Sequence, residues 1–486
     1  MARTTFYIGM VNPADPFRQS LGVALEHSLR FLENLDDAPV CPTASLETLR
    51  SRLARELTDE GAAPEQVVSD LVRDVEGGIL GSTGGRFFAW VVGGVLPASL
   101  AADWLTSAWD QNAGIHVSGP AAGLVEEIAG GWLKDILGLP AGASFAFVTG
   151  CQMAHVTCLA AARHALLERR GWDVARQGLY GAPPIRILTS GEKHGSVQRA
   201  LRLLGMGLDQ VIELPATALG QLSPEALERE LDAGGRSPTI VLLLAGDLCM
   251  GAYDPFETLI PIARRHRAWV HVDGAFGLWA AASPRYRYLL RGVEGADSWA
   301  TDGHKWLNVP YDCGYAFVAD PEAHSAAMSH REPYLQRHQE ARDQMDWNPE
   351  WSRRARGFST YAALRQLGRK GIAALVEQCC EHAHSLVLGI GRLPGAEVLW
   401  EPTINQGLVR FLDSHAGAGD PDHDRRTDEV IAKVLAGGEA YFGGTTWHGR
   451  RAMRVSVCNW RTSAEDVDRA VEAVRKALVD AGRKTT

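Results

Sequence analysis

The sequence predicts an α/β fold: a mostly parallel central sheet covered by helices, followed by a smaller α+β C-terminal domain. Three observations lead there. From Phe88 to about Asp320, short apolar runs suited to strands alternate with helical segments, the rhythm of a sheet wrapped on both faces. Thr239–Leu244 (TIVLLL) is apolar throughout, as a parallel strand covered on both sides should be. From about Gly371 the pattern changes to separate strands, among them the alternating RRAMRVS of Arg450–Ser456.

Taken in order, Leu21, Ala24, Leu25, Leu29 and Leu32 recur at three and four residues, so Pro16 to Leu35 is an amphipathic helix whose apolar face needs a cover. Gly77, Gly78, Gly81, Gly84 and Gly85 make a turn-rich linker, and no strand precedes them as a nucleotide loop would require. Ser144–Thr149 is a strand that runs through Gly150, Cys151 and Gln152 into a long helix reaching about Arg170. Strand, glycine turn and helix start together offer free backbone N–H groups and a positive dipole end, a place for a phosphate. Ile185–Thr189 is the next strand, followed by His194, Ser196 and a helix to Leu204. Trp269–Val272 is a buried strand with Asp273 at its carboxyl end, and a short strand around Ser298–Thr301 precedes His304 and Lys305.

Between Asp320 and Trp351 the pattern breaks into a polar stretch, expected to be a lid or flexible loop. Its His324, His330 and His338 lack metal-ligand spacing and are expected to be solvated. The C-terminal domain carries strands at Glu397–Trp400 and Leu408–Leu412, and Ser463 with Asp466 forms a capping box for the closing helix.

With 486 residues and 46% hydrophobic content the chain can bury a large core, and a net charge of −9 argues against a nucleic-acid footprint. Eight cysteines without paired spacing, and an opening stretch without a signal peptide's basic and apolar regions, suggest reduced thiols in a cytoplasmic protein. No apolar run approaches the roughly 18 residues of a membrane span.

Asp273 and Lys305 both follow strands at their carboxyl ends, where an open α/β sheet forms its ligand crevice. A lysine amine condenses with an aldehyde, and a carboxylate facing a pyridine nitrogen keeps it protonated, so that the ring accepts electrons from an amino acid's α carbon. Either residue alone would be a helix cap or a surface lysine. Together they point to pyridoxal phosphate.

At these residues HVDGAFG, followed by DGHKWLNVPYDCG, resembles the group II pyridoxal-phosphate-dependent amino-acid decarboxylases, the family of aromatic-amino-acid, glutamate, histidine and tyrosine decarboxylases. The resemblance runs from about Arg86 to the C-terminal helix. It implies a fold-type-I subunit of a homodimer, with residues 1–80 as a dimerisation arm, 81–370 as the cofactor domain including a mobile loop near 325–350, and 371–486 as the C-terminal domain. The lysine that bonds the coenzyme falls on Lys305, the carboxylate facing the pyridine nitrogen on Asp273, and the small residue under the ring on Ala275. His194 takes the place of the ring-stacking histidine, Gly150, Cys151 and Gln152 that of the phosphate loop, and Asp302 and His304 lie beside the coenzyme.

The resemblance puts Trp90 and Arg454 at the substrate, Arg454 near its carboxylate, and Tyr334 on the loop tyrosine that returns a proton to the α carbon. Relatives with phenylalanine at that position form aldehydes instead, so Tyr334 favours simple decarboxylation of an L-amino acid to its amine. An aminotransferase or aldehyde synthase on the same scaffold, or a catalytically silent binding homologue, are the alternatives. Near Asn112 and Gly114 the aromatic-specific members carry aromatic side chains, and two of their threonines are replaced here by Asp247 and Leu248, which leaves the substrate open. Displacing Lys305 from the coenzyme requires a neutral amine, so Lys305 is expected to ionise well below the lysine reference of about 10.4.

Overall fold

The structure, a computed structural model, describes residues 15–330 and 341–482. The central sheet has seven strands: β1 (Ser144–Val148), β2 (Arg186–Ser190), β3 (Val211–Leu214), β4 (Thr239–Leu244), β5 (Trp269–Asp273), β6 (Ser298–Asp302) and β7 (Gly314–Val318). Their order is β1-β7-β6-β5-β4-β2-β3, parallel from β6 through β3, with β7 antiparallel to both neighbours. Only a short loop separates β6 from β7, too little for a crossover helix, so β7 has to return antiparallel. Because β1 is antiparallel to β7, it points the same way as β6. The carboxyl ends of β1, β5 and β6 therefore meet on one edge.

The five residues of β5 are all buried, and the period of two sorts them by face. Val270 and Val272 join the larger apolar core, while Trp269, and with it His271 and Asp273, turn toward the opposite layer. That layer holds the helix Cys151–Glu168, in which Ala154, Cys158, Leu159, Ala161 and Ala162 are buried against the sheet.

The C-terminal domain is a four-stranded antiparallel sheet of β8 (Ala396–Trp400), β9 (Gln406–Phe411), β10 (Gly443–Trp447) and β11 (Arg450–Ser456), in the order β10-β11-β9-β8. The helix Asp420–Gly437 packs on this sheet, and the helix Ala464–Gly482 packs on Asp420–Gly437. The expected capping box is present: Asp466 N–H donates to Ser463 Oγ at 3.1 Å, and Ser463 N–H to Asp466 Oδ2 at 2.9 Å. The helix Gly357–Gly391 is broken at Gly368, whose φ of 58° and ψ of 178° leave the helical region.

The N-terminal helix spans Asp15–Glu33, and its Leu21, Leu25 and Leu29 are about half exposed. Among the described residues no helix is long and apolar enough to cross a membrane. All eight cysteines are free.

Three expectations are corrected. No strand starts at Phe88: Trp90 and Val91 have φ of 58° and 63°, which a strand cannot accommodate, and Phe88 instead exchanges backbone hydrogen bonds with Tyr441 and Ser456 beside the small sheet. The stretch after Asp320 is not irregular throughout, since Asp320 caps a helix Pro321–Met328. His324 lies on that helix and is fully buried rather than solvated, bonded to Ser144 Oγ at 2.8 Å and Trp347 O at 2.9 Å. His338 lies outside the described residues.

Candidate active site

Three loops leaving β1, β6 and β5 build the site. Gly314 opens β7 opposite both Val148 and Asp302, and a Cβ there would lie 2.5 Å from Gly150 Cα. Only glycine lets the turn before the helix Cys151–Glu168 press against the lysine loop. Gly150 itself faces the His304 ring.

Asp302 is the hub of that contact. Its Oδ1 accepts the Cys151 backbone N–H at 2.5 Å, and its Oδ2 pairs with Lys305 Nζ at 3.1 Å. The Cys313 N–H donates to His304 Nδ1 at 3.1 Å, which places the ring proton on Nε2, 3.5 Å from Asp302 Oδ1. Burial works to lower the Lys305 ammonium, but Asp302 foremost, with Asp273, outweighs it and holds the lysine above its ordinary value. The expectation of a lysine poised low is thus corrected: in the free protein it is kept charged by an ion pair with Asp302, three residues away.

Asp273 ends β5 beside this pair, in register with Ala300 on β6. Burial pushes its carboxyl upward, yet His155 above all, then His194 and Lys305, more than compensate and hold it well below the carboxylate range. Asp273 Oδ1 accepts the Ala275 N–H at 3.2 Å, Oδ2 lies 3.5 Å from His155 Nε2, and the Cys151 thiol is 3.9 Å from Oδ1. The Cys151, His155 and Asp273 ligand atoms all lie within 4.8 Å of one another. Burial raises the Cys151 thiol well above its usual value, so it remains protonated.

His194 caps the helix Gly195–Leu203, its Nδ1 2.7 Å from Ser196 Oγ. It is solvent-accessible at the mouth of the site, yet desolvation lowers its pKa against the pull of Asp273. Lys305, His155 and Arg454 also act on its charge, each disfavouring the imidazolium.

Arg454, on β11, is buried, and its Nε and Nη2 have no partner. Burial, first of all, lowers its pKa, against the pull of Cys249 and Asp247. The Ser190 hydroxyl at the end of β2 is likewise buried and unpaired. Asp247 is engaged otherwise: its oxygens accept the N–H groups of Cys249, Met250 and Ala252, closing a turn. Asn112 also serves its own loop, accepting from Gly114 and Arg353 N–H groups. Trp90 is half exposed and packs on Phe87 and Tyr441. Gln152 lies in the first turn of the helix Cys151–Glu168. Tyr334 lies outside the described residues.

Sequence reasoning missed His155 and Asn308. Asn308 adopts a φ of 56° and ties three segments together, accepting from Gly94 N at 2.7 Å and Trp460 N at 3.0 Å and donating to Cys458 O at 2.9 Å. Its place three residues after Lys305, in a conformation asparagine tolerates, was the available signal.

The pyridoxal-dependent decarboxylase conserved domain matches residues 47–412. An L-2,4-diaminobutyrate decarboxylase of Rhizobium meliloti (strain 1021) is 30% identical over 383 residues, covering 77% of this chain and 74% of that protein. An aromatic-L-amino-acid decarboxylase of Bacillus atrophaeus is 25% identical over 461 residues, covering 93% and 94%. The crystal structure of Oryza sativa TDC with PLP and tryptamine superposes with a TM-score of 0.90 over 97% of this chain and 99% of that one; at 24% identity this likeness carries the fold. The chain belongs to the pyridoxal-dependent decarboxylase family, amino-acid carboxy-lyases that work with pyridoxal phosphate.

Proposed function

We propose that the protein decarboxylates an L-amino acid to its amine and carbon dioxide, with pyridoxal phosphate held covalently at Lys305. The observation that carries this is the pair of neighbouring strand ends: β5 delivers a buried, ionised Asp273, and β6 delivers an enclosed lysine beside it. The donor set fits the coenzyme, since a buried anion, a lysine and the start of the helix at Cys151 converge there. When bound, pyridoxal phosphate supplies an electron-accepting pyridinium ring.

The chain's own residues do the rest. Asp273 would hold the proton on the ring nitrogen, and Ala275 and His194 are the residues that would flank the ring. The backbone at Gly150, Cys151 and Gln152 receives the phosphate, for which Asp302 must release the Cys151 N–H it now occupies. His304 keeps Asp302 in place through its Nε2–H. Arg454, with two unpaired nitrogens, takes the substrate carboxylate as a planar fork, and Asp247 acts on it through charge rather than contact. Trp90 lines the substrate end, and Tyr334 returns the proton to the α carbon.

We further infer a homodimer in which residues 1–80 cover the partner. The half-exposed Leu21, Leu25 and Leu29 of the N-terminal helix support it, as do the exposed Trp104, Leu105 and Trp109. Residues 81–370 and 371–486 then form the cofactor and closing domains, and the eight free thiols support a cytoplasmic location. Light scattering on the purified protein checks the dimer.

An amino-acid panel assayed for carbon dioxide, amine, ammonia and peroxide tests the activity. Carbon dioxide and amine in equal amounts are expected; ammonia and peroxide in their place would make it an aldehyde synthase. Lys305→Ala is expected to remove both the activity and the coenzyme's visible absorbance, and persistence of the band would refute the assignment of that lysine.

A further inference from the structure

From Asp273 a file of polar side chains runs between the sheet and the helix Cys151–Glu168. Asp273 Oδ2 lies 3.5 Å from His155 Nε2, and His155 Nδ1 lies 2.9 Å from His271 Nε2. His271 Nδ1 lies 2.9 Å from Ser298 Oγ, which accepts the Trp269 indole N–H at 2.9 Å. All five side chains are buried; His155, His271 and Ser298 have no exposure at all. Strand geometry explains the alignment, because Trp269, His271 and Asp273 are alternate residues of β5 and so share the face that meets this helix.

Its two ends are chemically fixed. An ionised carboxylate only accepts hydrogen bonds and an indole N–H only donates. His155 Nε2 lies 3.4 Å from the Cys151 sulfur and 3.5 Å from Asp273 Oδ2; with the thiol donating to Asp273 Oδ1, a proton on Nε2 faces the carboxylate. In the arrangement that satisfies every group, His271 Nε2 donates to His155 Nδ1 and the Ser298 hydroxyl donates to His271 Nδ1. Every group in the file is satisfied in that arrangement, as its burial demands. Burial also holds His271 down to about 3, so that ring is neutral.

We propose that His155 is a positioning residue for the Asp273 carboxylate: held by His271, it donates its Nε2–H to Asp273 and keeps that carboxylate charged and aimed at the coenzyme's ring nitrogen. The proposal rests on the reading that Asp273 faces that nitrogen. It assigns to two buried histidines a task that a merely space-filling pair would not perform. A metal ion on Cys151, His155 and Asp273 is the opposite case, for it would need His155 Nε2 bare.

The test uses coenzyme binding rather than turnover. His155→Phe keeps a ring but removes the donor, whereas His155→Gln restores an N–H near the Nε2 position. Apoprotein of each is titrated with pyridoxal phosphate labelled with nitrogen-15 in its ring, reading both the dissociation constant and the ring-nitrogen chemical shift. His155→Phe is expected to bind roughly 10- to 100-fold more weakly, the range for losing a hydrogen bond to a charged group, with the shift moved toward unprotonated pyridine. His155→Gln should recover most of both. His271→Leu leaves His155 and Asp273 in place and should shift both readouts in the same direction by a smaller amount; it serves if His155→Phe fails to fold.

Wild-type affinity and shift in a folded His155→Phe, or in His271→Leu, would overturn the proposal while leaving the coenzyme reading intact. So would a metal ion retained by the wild-type apoprotein and lost in His155→Phe. A wild-type protein that takes up no coenzyme would overturn the underlying reading, and the proposal with it.

Discussion

Replacing Asp302 by asparagine isolates what keeps Lys305 charged. The two groups lie 3.1 Å apart, with 18% and 3% of their side chains exposed. Coulomb's law at that distance and an effective dielectric of 20 gives about 5 kcal/mol in favour of the ammonium. Burial of the lysine opposes this, so about half survives, equivalent to roughly two pKa units at about 1.4 kcal/mol each. Burial still acts in the variant, so removing the anion takes away the whole Coulomb term and lowers the lysine pKa by roughly three to four units, while asparagine keeps an oxygen for the Cys151 N–H. The assay is the rate at which apoprotein captures pyridoxal phosphate, followed by absorbance from pH 6 to 11. Only the neutral amine attacks, so the wild-type rate should still be climbing at the alkaline end, and the Asp302→Asn profile should level off roughly three to four pH units earlier. Pyridoxal without its phosphate, run in parallel, removes any gain from a freed phosphate site. Superimposable profiles would refute the ion pair as the controlling interaction.

Three further outcomes follow from the same coordinates. Glu126 and Arg353 form an ion pair at 2.8 Å with neither side chain exposed, so Glu126→Ala strands a buried guanidinium and is expected to cost about 3–5 kcal/mol, seen as a lower thermal midpoint than in Glu126→Gln. Gly314→Ala drives a methyl into Gly150; coenzyme affinity should fall about tenfold or more in a protein that remains folded, measured by the same titration. Burial depresses His271 and His324 to about 3, so the unfolded chain takes up their protons first as pH falls. Their contribution is complete above about pH 6.5 and is lost progressively toward pH 3, by about 2 kcal/mol per histidine at pH 5. Urea unfolding at pH 7.5 and pH 5 should show a loss smaller by about that amount in His324→Leu than in wild type.

Strand β4 could be read from the sequence because a strand buried on both faces can be apolar along its length, and few loops are; β5 and β6 carry His271, Ser298 and Thr301 and could be read from their aromatic and β-branched residues. Asp273 was legible because it closes β5, and Lys305 because it follows β6 in the DGHKW stretch. The contacts that govern them were not. Asp302 stands three residues before Lys305, but the backbone group it captures, at Cys151, is 151 residues away. His155 sits in an apolar helix, where a histidine that serves a carboxylate looks the same as one that fills space, and its partner His271 is 116 residues distant. His324 misled for a related reason: polar neighbours suggested water, while a cap at Asp320 folded the segment against β1. Phe88 failed as a strand because positive φ at Trp90 and Val91 cannot be read from aromatic and branched side chains.

The position of Asn308 bears on how the protein is made. The lysine loop is held by an amide whose buried groups are matched by Cys458 and Trp460, some 150 residues further along the chain. A nascent polypeptide that has already emerged past residue 412 holds every residue of the matched domain but still lacks this tether. Its Asn308 then has Gly94 N–H and Trp306 O as partners but lacks the Cys458 carbonyl and the Trp460 N–H, so the reactive amine acquires its final setting only once translation is nearly complete.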